Sequence, residues 1–484
     1  MECCILCQYQ VKFEVLYRNM GISVVVHPCC HHVTLSLLVL VALPTALGDG
    51  DSSSNNDDGV PSLSDMDTYD ALAIAFMAIG LTASSAGGLG GGVIMVPAMT
   101  IIMGFDIKRA TPISNMAILG GAVANALYNM RKRHPTVDRP LIDPELAMGM
   151  IPVVIGGTVV GAVINKLIPN YVLSLLLVVV FAVGGSRTLI KGIRLHKKEL
   201  AKKKEVDGAA NEFVTDVPVS PSVYVQVSTP LKDDVLPEKR GSTSAFSEDE
   251  PGSTTTLAQI LEKERQFAWG PHFSIMVCYL GIVATSIGGA FVDCGGVAYW
   301  VLLLIGVPWI AVFVILTSYY LHQVYLRKAA MNYQYVEGDI RWTKKMVVYF
   351  PLGFVFAGIA AGMFGVGGGI VAGPIMVELG IVPEVASSTT ALMILYSAAA
   401  ATAKFAVFKM IAWDWALMLC AVAFVVTCAS QAVILGFVRK TGRQSIIVLC
   451  IAAVVLIGCV IMTYQAIKST VDDTGDHFSA SICN

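Results

Sequence analysis

Charge is what this chain has least of. Asp, Glu, Lys and Arg make up 14% of its 484 residues, against 55% that are hydrophobic. A soluble domain carries about a quarter charged residues, so the composition excludes an ordinary soluble protein; a mean hydropathy of +0.69 points to the bilayer. The formal net charge of −2 offers no basic surface, and no nucleic-acid partner is expected. Also lacking are HExxH, GxSxG and paired aspartates inside an apolar run, the patterns that would signal a hydrolase. Catalytic residues, metal and cofactor are therefore not expected. The twelve cysteines form no framework. Cys278, Cys420, Cys428, Cys450 and Cys459 lie in apolar runs and read as small buried hydrophobes. Cys4-x-x-Cys7 and Cys29-Cys30-His31-His32 sit in a leader, and adjacent ligands suit tetrahedral zinc badly.

Long apolar runs are what the chain does have. Val33 to Ala46, followed by the small residues Ala46-Leu47-Gly48, reads as a cleaved signal peptide, or else as an uncleaved anchor helix. Apolar segments follow at 70–103, 109–130, 145–165, 171–190, 272–291, 297–326, 346–380, 385–408, 412–436 and 444–467, several of them beyond the ~20 residues a crossing needs. The expected organisation is a leader (1–48), an acidic non-cytoplasmic arm (49–68), a first transmembrane repeat (69–192), a disordered cytoplasmic linker (193–268), a connecting transmembrane pair (269–328), a second repeat (346–468) and a tail (469–484). Within the linker, Leu257 to Phe267 has the pattern of a short amphipathic helix. An integral, multi-pass protein of a secretory-pathway membrane follows, with plasma membrane and vacuole both open.

Two of these segments are broken by glycine. One reads Gly87-Gly88-Leu89-Gly90-Gly91-Gly92-Val93-Ile94-Met95-Val96-Pro97, the other Gly362-Met363-Phe364-Gly365-Val366-Gly367-Gly368-Gly369-Ile370-Val371-Ala372-Gly373-Pro374. In each, proline stands five residues after the last glycine. Glycine and proline are both costly within a helix. A matched pair in two halves of one chain points to a duplicated transporter with discontinuous helices.

The basic loops give an orientation. Arg131-Lys132-Arg133, the lysine-rich start of the linker, Arg327-Lys328 with Lys344-Lys345, and Arg439-Lys440 mark one side; the acidic arm at Asp67 and the loops at 166–170 and 292–296 mark the other. Counting crossings from Asp67 to Arg131, and from Lys345 to Arg439, conflicts with this assignment unless 70–103 and 346–380 each turn back at their glycines. Thirty-odd residues of straight helix would span about 50 Å against a ~30 Å core. The expected fold is all-α: two inverted-topology transmembrane repeats with glycine-broken helices.

A helix that restarts within the membrane presents unpaired N–H groups and a positive dipole end, and glycine lets several N–H groups reach one anion. Gly90, Gly91 and Gly92, with Gly367, Gly368 and Gly369, are the candidate anion-binding turns; close helix packing through small residues is the rival reading. Hydroxyls begin the following helix in both halves, as Thr111, Ser114 and Asn115 and as Ser387, Thr389 and Thr390, able to cap that helix or to donate to the anion. Lys404, ionisable within an apolar run, is a possible counter-charge or a residue snorkelling to the interface.

With both copies of the Gly-x-Gly-Gly-Gly…Pro pattern and the Ala…Thr/Ser stretch after each, the chain resembles the TauE/SafE sulfite-exporter family over 70–192 and 346–467, and the linker, leader and Cys294-Gly295-Gly296…Tyr299-Trp300 are similar to its larger eukaryotic members. The resemblance implies export of sulfite, an organosulfonate or a related small anion. Leu89, Gly87-Gly88 and Pro112 depart from the pattern. The expected partners are a small inorganic or organic anion and the lipid bilayer. An anion channel, or a non-transport assembly or signalling protein acting through the linker, are the alternative readings.

Overall fold

A computed structural model describes residues 66–85, 91–134, 137–212, 257–266, 268–292, 296–336, 338–441 and 445–472. The leader, almost all of the acidic arm, Gly87 to Gly90, Cys294, linker residues 213–256 and the tail from 473 lie outside the described residues. Among those described, the chain forms thirteen helices and no strand: α1 Thr68–Ser85, α2 Gly92–Ile101, α3 Ile107–Asn129, α4 Pro144–Leu167, α5 Asn170–Glu212, α6 Leu257–Arg265, α7 Trp269–Ala290, α8 Val297–Ala330, α9 Lys344–Phe364, α10 Gly369–Glu378, α11 Pro383–Val407, α12 Trp413–Thr441 and α13 Ser445–Asp472. Seven of them, α4, α5, α7, α8, α9, α11 and α12, are long and apolar enough to cross a membrane. The protein is an all-α, multi-pass membrane protein. α5 continues past its apolar stretch to Glu212, through Lys, Leu, Ala and Glu, which are good helix formers.

The long apolar segments 70–103 and 346–380 are each divided at their glycines, into α1 and α2 and into α9 and α10. α9 stops at Gly365, whose φ of +65° ends the helix in the left-handed region, and Gly367 turns the chain again at +64°. α2 starts from Gly91 at φ +76°. α2 and α10 are ten residues each, with Pro97 and Pro374 at the sixth position. Ten residues rise about 15 Å, half a bilayer core. Both short helices double back. A Cβ on Gly80 of α1 would strike Ile94 of α2, and one on Gly368 would lie 2.9 Å from the carbonyl oxygen of Ala357, two turns before the end of α9.

The two halves pack in matched pairs. α3 lies on α12 as α11 lies on α4; α1 lies on α12 as α9 lies on α4; α2 lies on α13 as α10 lies on α5. α4 and α11 run in the same direction. At their starts the Asp143 N–H donates to Thr389 Oγ1 (3.3 Å), and at their ends Lys166 and Lys404 meet at the Phe408 ring. α3 reaches α4 through a reversal closed by His134 N–H to Arg139 O (2.9 Å) and Leu141 N–H to Lys132 O (3.1 Å), so α3, which follows the first break, runs opposite to α11, which follows the second. α5 is likewise antiparallel to α13, with Val178 near Cys459 at one end and Glu199 on Ser445 at the other.

The most extensive helix pair, α4 with α9, is a seam of glycines. Gly157 and Gly161 face Gly358 and Gly362. A Cβ on Gly157 would lie 2.7 Å from Val355 O; one on Gly358 would strike Val154 O, and one on Gly362 would strike Thr158 O. Lipid gives no hydrophobic force between helices, and small-xxx-small pairs let backbones approach and gain dispersion contacts instead. α11 is almost wholly enclosed by the bundle, whereas α8 is mostly exposed, turning Leu304, Ile315 and Leu316 outward as lipid permits.

At the end of the bundle where α4 starts, Asp143 caps that helix by accepting the N–H groups of Glu145 (2.8 Å) and Leu146 (3.2 Å). Burial pushes the Asp143 carboxyl up, against the pull of the Arg139 guanidinium. Arg139 pairs with Asp339. Lys328, at the end of α8, pairs with Glu145 of α4 and Glu264 of α6, both at 2.7 Å. Trp342 Nε1–H also donates to Glu145 (2.8 Å), and the Tyr333 hydroxyl to Glu264 (2.7 Å). The short helix that ends the linker is thus tied to the bundle.

Candidate functional site: two facing helix breaks

The two breaks touch. A Cβ on Gly92, the first residue of α2, would lie 2.6 Å from the carbonyl oxygen of Gly365 and 2.7 Å from the α-carbon of Val366. Only a glycine permits that approach. The space between is closed by α3 and α11, whose twelfth residues, Ile118 and Ile394, both come within 3.3 Å of a Cβ on Gly367.

The ends of the broken helices are treated unequally. α1 and α9 arrive with their C-terminal carbonyls, the negative dipole ends, and each meets a side-chain amide. Gln431 Nε2 donates to Ser85 O (3.1 Å), and Asn165 Nδ2 donates to Met363 O (2.7 Å). The hydroxyl of Ser114 donates to Gly365 O (2.7 Å). α2 and α10 depart with their N–H groups, the positive ends, and neither Gly91 nor Gly368 supplies a side-chain cap. Side-chain donors thus meet the carbonyl ends, whereas among the described residues no side chain caps the amide ends, although the Gly369 N–H donates to Gly367 O; uncapped helix N-termini favour an anion.

Polar atoms without partners lie beside the second break. Thr111 and Asn115 are 0% and 1% exposed. Among the described residues Thr111 Oγ1 and Asn115 Oδ1 find no hydrogen-bond partner, although Asn115 Nδ2 donates to Thr111 O (3.1 Å). Thr111 O and its α-carbon are 2.7 and 3.1 Å from a Cβ on Gly365. A buried hydroxyl left unpaired costs about 1–3 kcal/mol, and a bound group that accepts from it recovers that cost.

The other expected site residues divide. Gly91, Gly92, Gly367, Gly368 and Gly369 form the turns and first residues of α2 and α10; Gly90 lies outside the described residues. Thr111, Ser114 and Asn115 stand at the second break. The corresponding hydroxyls of α11 go elsewhere: Ser388 to Leu141 O (3.3 Å), Thr389 to the Asp143 N–H, Thr390 to Met376 Sδ (3.5 Å). Ser387 is partly buried on the same turn. Lys404 is ten residues beyond Ile394, about 15 Å along α11, and is not brought to the breaks. The amides of Asn165 and Gln431 escaped the sequence reading, although each is a polar residue within an apolar run, which is a usable signal. Gln431 also donates to Asn125 Oδ1 (2.7 Å), and Ser85 Oγ lies 2.5 Å from Ser430 Oγ, so the end of α1 is held by a buried polar network.

The sequence profile of the sulfite exporter TauE/SafE family matches residues 32–214 and 253–459. The chain belongs to the TauE/SafE family. The match spans both broken segments and begins inside the stretch read as a leader. Sulfite exporter TauE/SafE family protein 3 of Arabidopsis thaliana is 28% identical over 390 residues, covering 79% of this chain and 75% of that one. Family protein 1 of the same plant is 28% identical over 411 residues (82% and 83%), and family protein 5 is 26% identical over 389 residues (78% and 79%). No solved structure matches the chain significantly. The family is one of membrane transporters for sulfite or related anions, in keeping with a non-enzymatic role and with the membrane and a small anion as partners.

Proposed function

We propose that the chain exports a small oxyanion, sulfite or an organosulfonate, by alternating access between two inverted halves. The observation that carries this reading is the polarity of the breaks: carbonyl ends covered by Gln431 and Asn165, amide ends of α2 and α10 without a side-chain cap among the described residues, and an unpartnered hydroxyl on Thr111, which packs on Gly365. The opposed directions of α3 and α11, and the matched packing of the two halves, support the inverted arrangement, in which each half stands to one membrane face as its counterpart stands to the other. With the basic loops inside, the start of α4 faces the cytoplasm and its end faces outward. Gly91, Gly92 and Gly367 to Gly369 shape the site, with the Thr111 hydroxyl as a donor and Asn115 beside it, its amide donating to Thr111 O. An inside-negative potential favours anion exit by ~2.3 kcal/mol per charge per 100 mV.

Flux of labelled sulfite, sulfate and a small sulfonate into proteoliposomes tests the reading. Saturable flux of one of them supports it. Flux that never saturates would indicate a channel, and absence of flux from well-folded protein would leave the breaks as packing devices.

A further inference from the structure

Far from the breaks, at the C-terminal end of α4 and α11, two lysines converge on one aromatic ring. Lys166 Nζ lies 4.9 Å and Lys404 Nζ 5.2 Å from the centroid of Phe408. Lys404 is only 5% exposed and Lys166 is partly buried. Among the described residues neither amine pairs with a carboxylate, in contrast to Lys328 at the opposite end, which holds two. A lysine that merely snorkels puts its amine in water; Lys404 does not. Nor is the pair a salt-bridge anchor. A ring quadrupole holds an ammonium in place without cancelling its charge, so the field of both amines remains available. Lys409, exposed and next to Phe408 in the chain, extends the series toward solvent. From Lys409 through Lys166 to Lys404 the positive charges pass from open to enclosed.

We propose that Lys166 and Lys404, gathered at Phe408, form a second anion station, distinct from the glycine breaks, that holds a small oxyanion between bulk water and the central site. Two unpaired ammonium groups, each about 5 Å from the centre of one ring, repel each other, and burial raises the cost. A small anion within reach of both offsets the two penalties. On the orientation proposed above, this is the outward end of the bundle, where lysine is otherwise scarce. Its place in a transport path rests on the transporter reading; its capacity to bind an anion does not.

The test uses the full chain carrying Lys409→Cys in proteoliposomes, which keeps both Lys166 and Lys404. The rates at which the anionic reagent methanethiosulfonate ethylsulfonate and its cationic trimethylammonium analogue modify the introduced thiol are compared, taking the difference from the chain that keeps Lys409. With Lys404 intact the anionic reagent is favoured, and sulfate slows it. Adding Lys404→Gln lowers the anionic-to-cationic rate ratio at least threefold and removes the sulfate effect, while Lys404→Arg retains both; the preference also weakens in high salt. A ratio that Lys404→Gln does not move, or one insensitive to sulfate, overturns the station. Should Lys404→Gln fail to fold, the Lys404→Arg variant with and without sulfate decides. Because modification is read without transport, a station that fails and a transporter that carries no flux are separate results.

Discussion

Gly92 and Gly365, 273 positions apart in sequence, are in backbone contact: the first residue of α2 sits against the carbonyl oxygen that ends α9, with 2.6 Å left for a side-chain carbon. That single contact joins the two glycine breaks: α2 begins against the residue at which α9 ends. A Cβ at Gly92 must displace both Gly365 and Ile118, whose Cδ1 would be 2.5 Å away.

Gly92→Ala is therefore expected to depress flux more than tenfold, and Gly92→Val to impair folding as well, since overpacking of this kind costs about 1–3 kcal/mol. Flux in proteoliposomes and the melting temperature in detergent measure the two effects. A Gly92→Ala protein with wild-type flux would show that the contact is incidental.

Thr111 and Ser114 separate binding from stability. Ser114 satisfies Gly365 O, so Ser114→Ala strands a buried carbonyl and is expected to cost about 1–3 kcal/mol. Thr111 Oγ1 satisfies nothing, so Thr111→Val keeps the volume and leaves the melting temperature unchanged or raised. On the anion-site reading it lowers the apparent affinity for the transported anion severalfold. Equal effects of the two substitutions on the melting temperature would refute the distinction.

The α4–α9 seam has an internal control. Gly161→Val sets a branched side chain against Ile359 O and Met363 N (the latter 2.8 Å from a Cβ) and is expected to destabilise by about 1–3 kcal/mol. Gly353, on the same α9, has nothing within 4 Å of a Cβ. Gly353→Ala is expected to be neutral or stabilising by about 0.5–1 kcal/mol, because alanine loses less backbone entropy in a helix. Thermal denaturation of both variants in one detergent decides whether close approach or glycine content matters.

How far the sequence could be read follows from the same residues. The breaks were legible because consecutive glycines with a proline five residues on are rare in an apolar run and occur here twice. The Gly157/Gly161 and Gly358/Gly362 seam was not, because single glycines are common in membrane helices and their spacing names no partner. The two hydroxyl stretches looked equivalent, yet Thr111 is left free while Thr389 is taken by the start of α4. That difference depends on the reversal between α3 and α4, which only the fold supplies. Lys404 was visible as an odd residue, but Lys166 and Phe408, which give it a setting, come from another helix and from past its end.

The opposite end of the bundle yields the last expectation. Lys328 carries one positive charge between Glu145 and Glu264, lies over the Tyr333 ring at 4.9 Å and is 8% exposed. Replacing it by methionine keeps the apolar stem but leaves two carboxylates facing each other with no cation between them. Breaking an enclosed pair by removing one partner costs about 3–5 kcal/mol, and here the repulsion of the remaining acids adds to it. Glu264 is on α6, which is joined to the bundle by this lysine, by the Tyr333 hydroxyl and by Arg265, which pairs with Asp138 (2.6 Å) and whose carbonyl accepts from Arg133 (2.9 Å), so relief comes from loosening α6 against those remaining contacts. Lys328→Met is thus expected to lower the melting temperature and to speed tryptic cleavage after Lys263 and Arg265. Adding Glu264→Gln removes one of the opposed charges and restores part of the stability, while leaving α6 without the Lys328 ion pair and therefore still open to trypsin. If cleavage at α6 in Lys328→Met stays at the wild-type rate, the lysine stabilises α4 through Glu145 alone, and the linker helix is held by its other contacts.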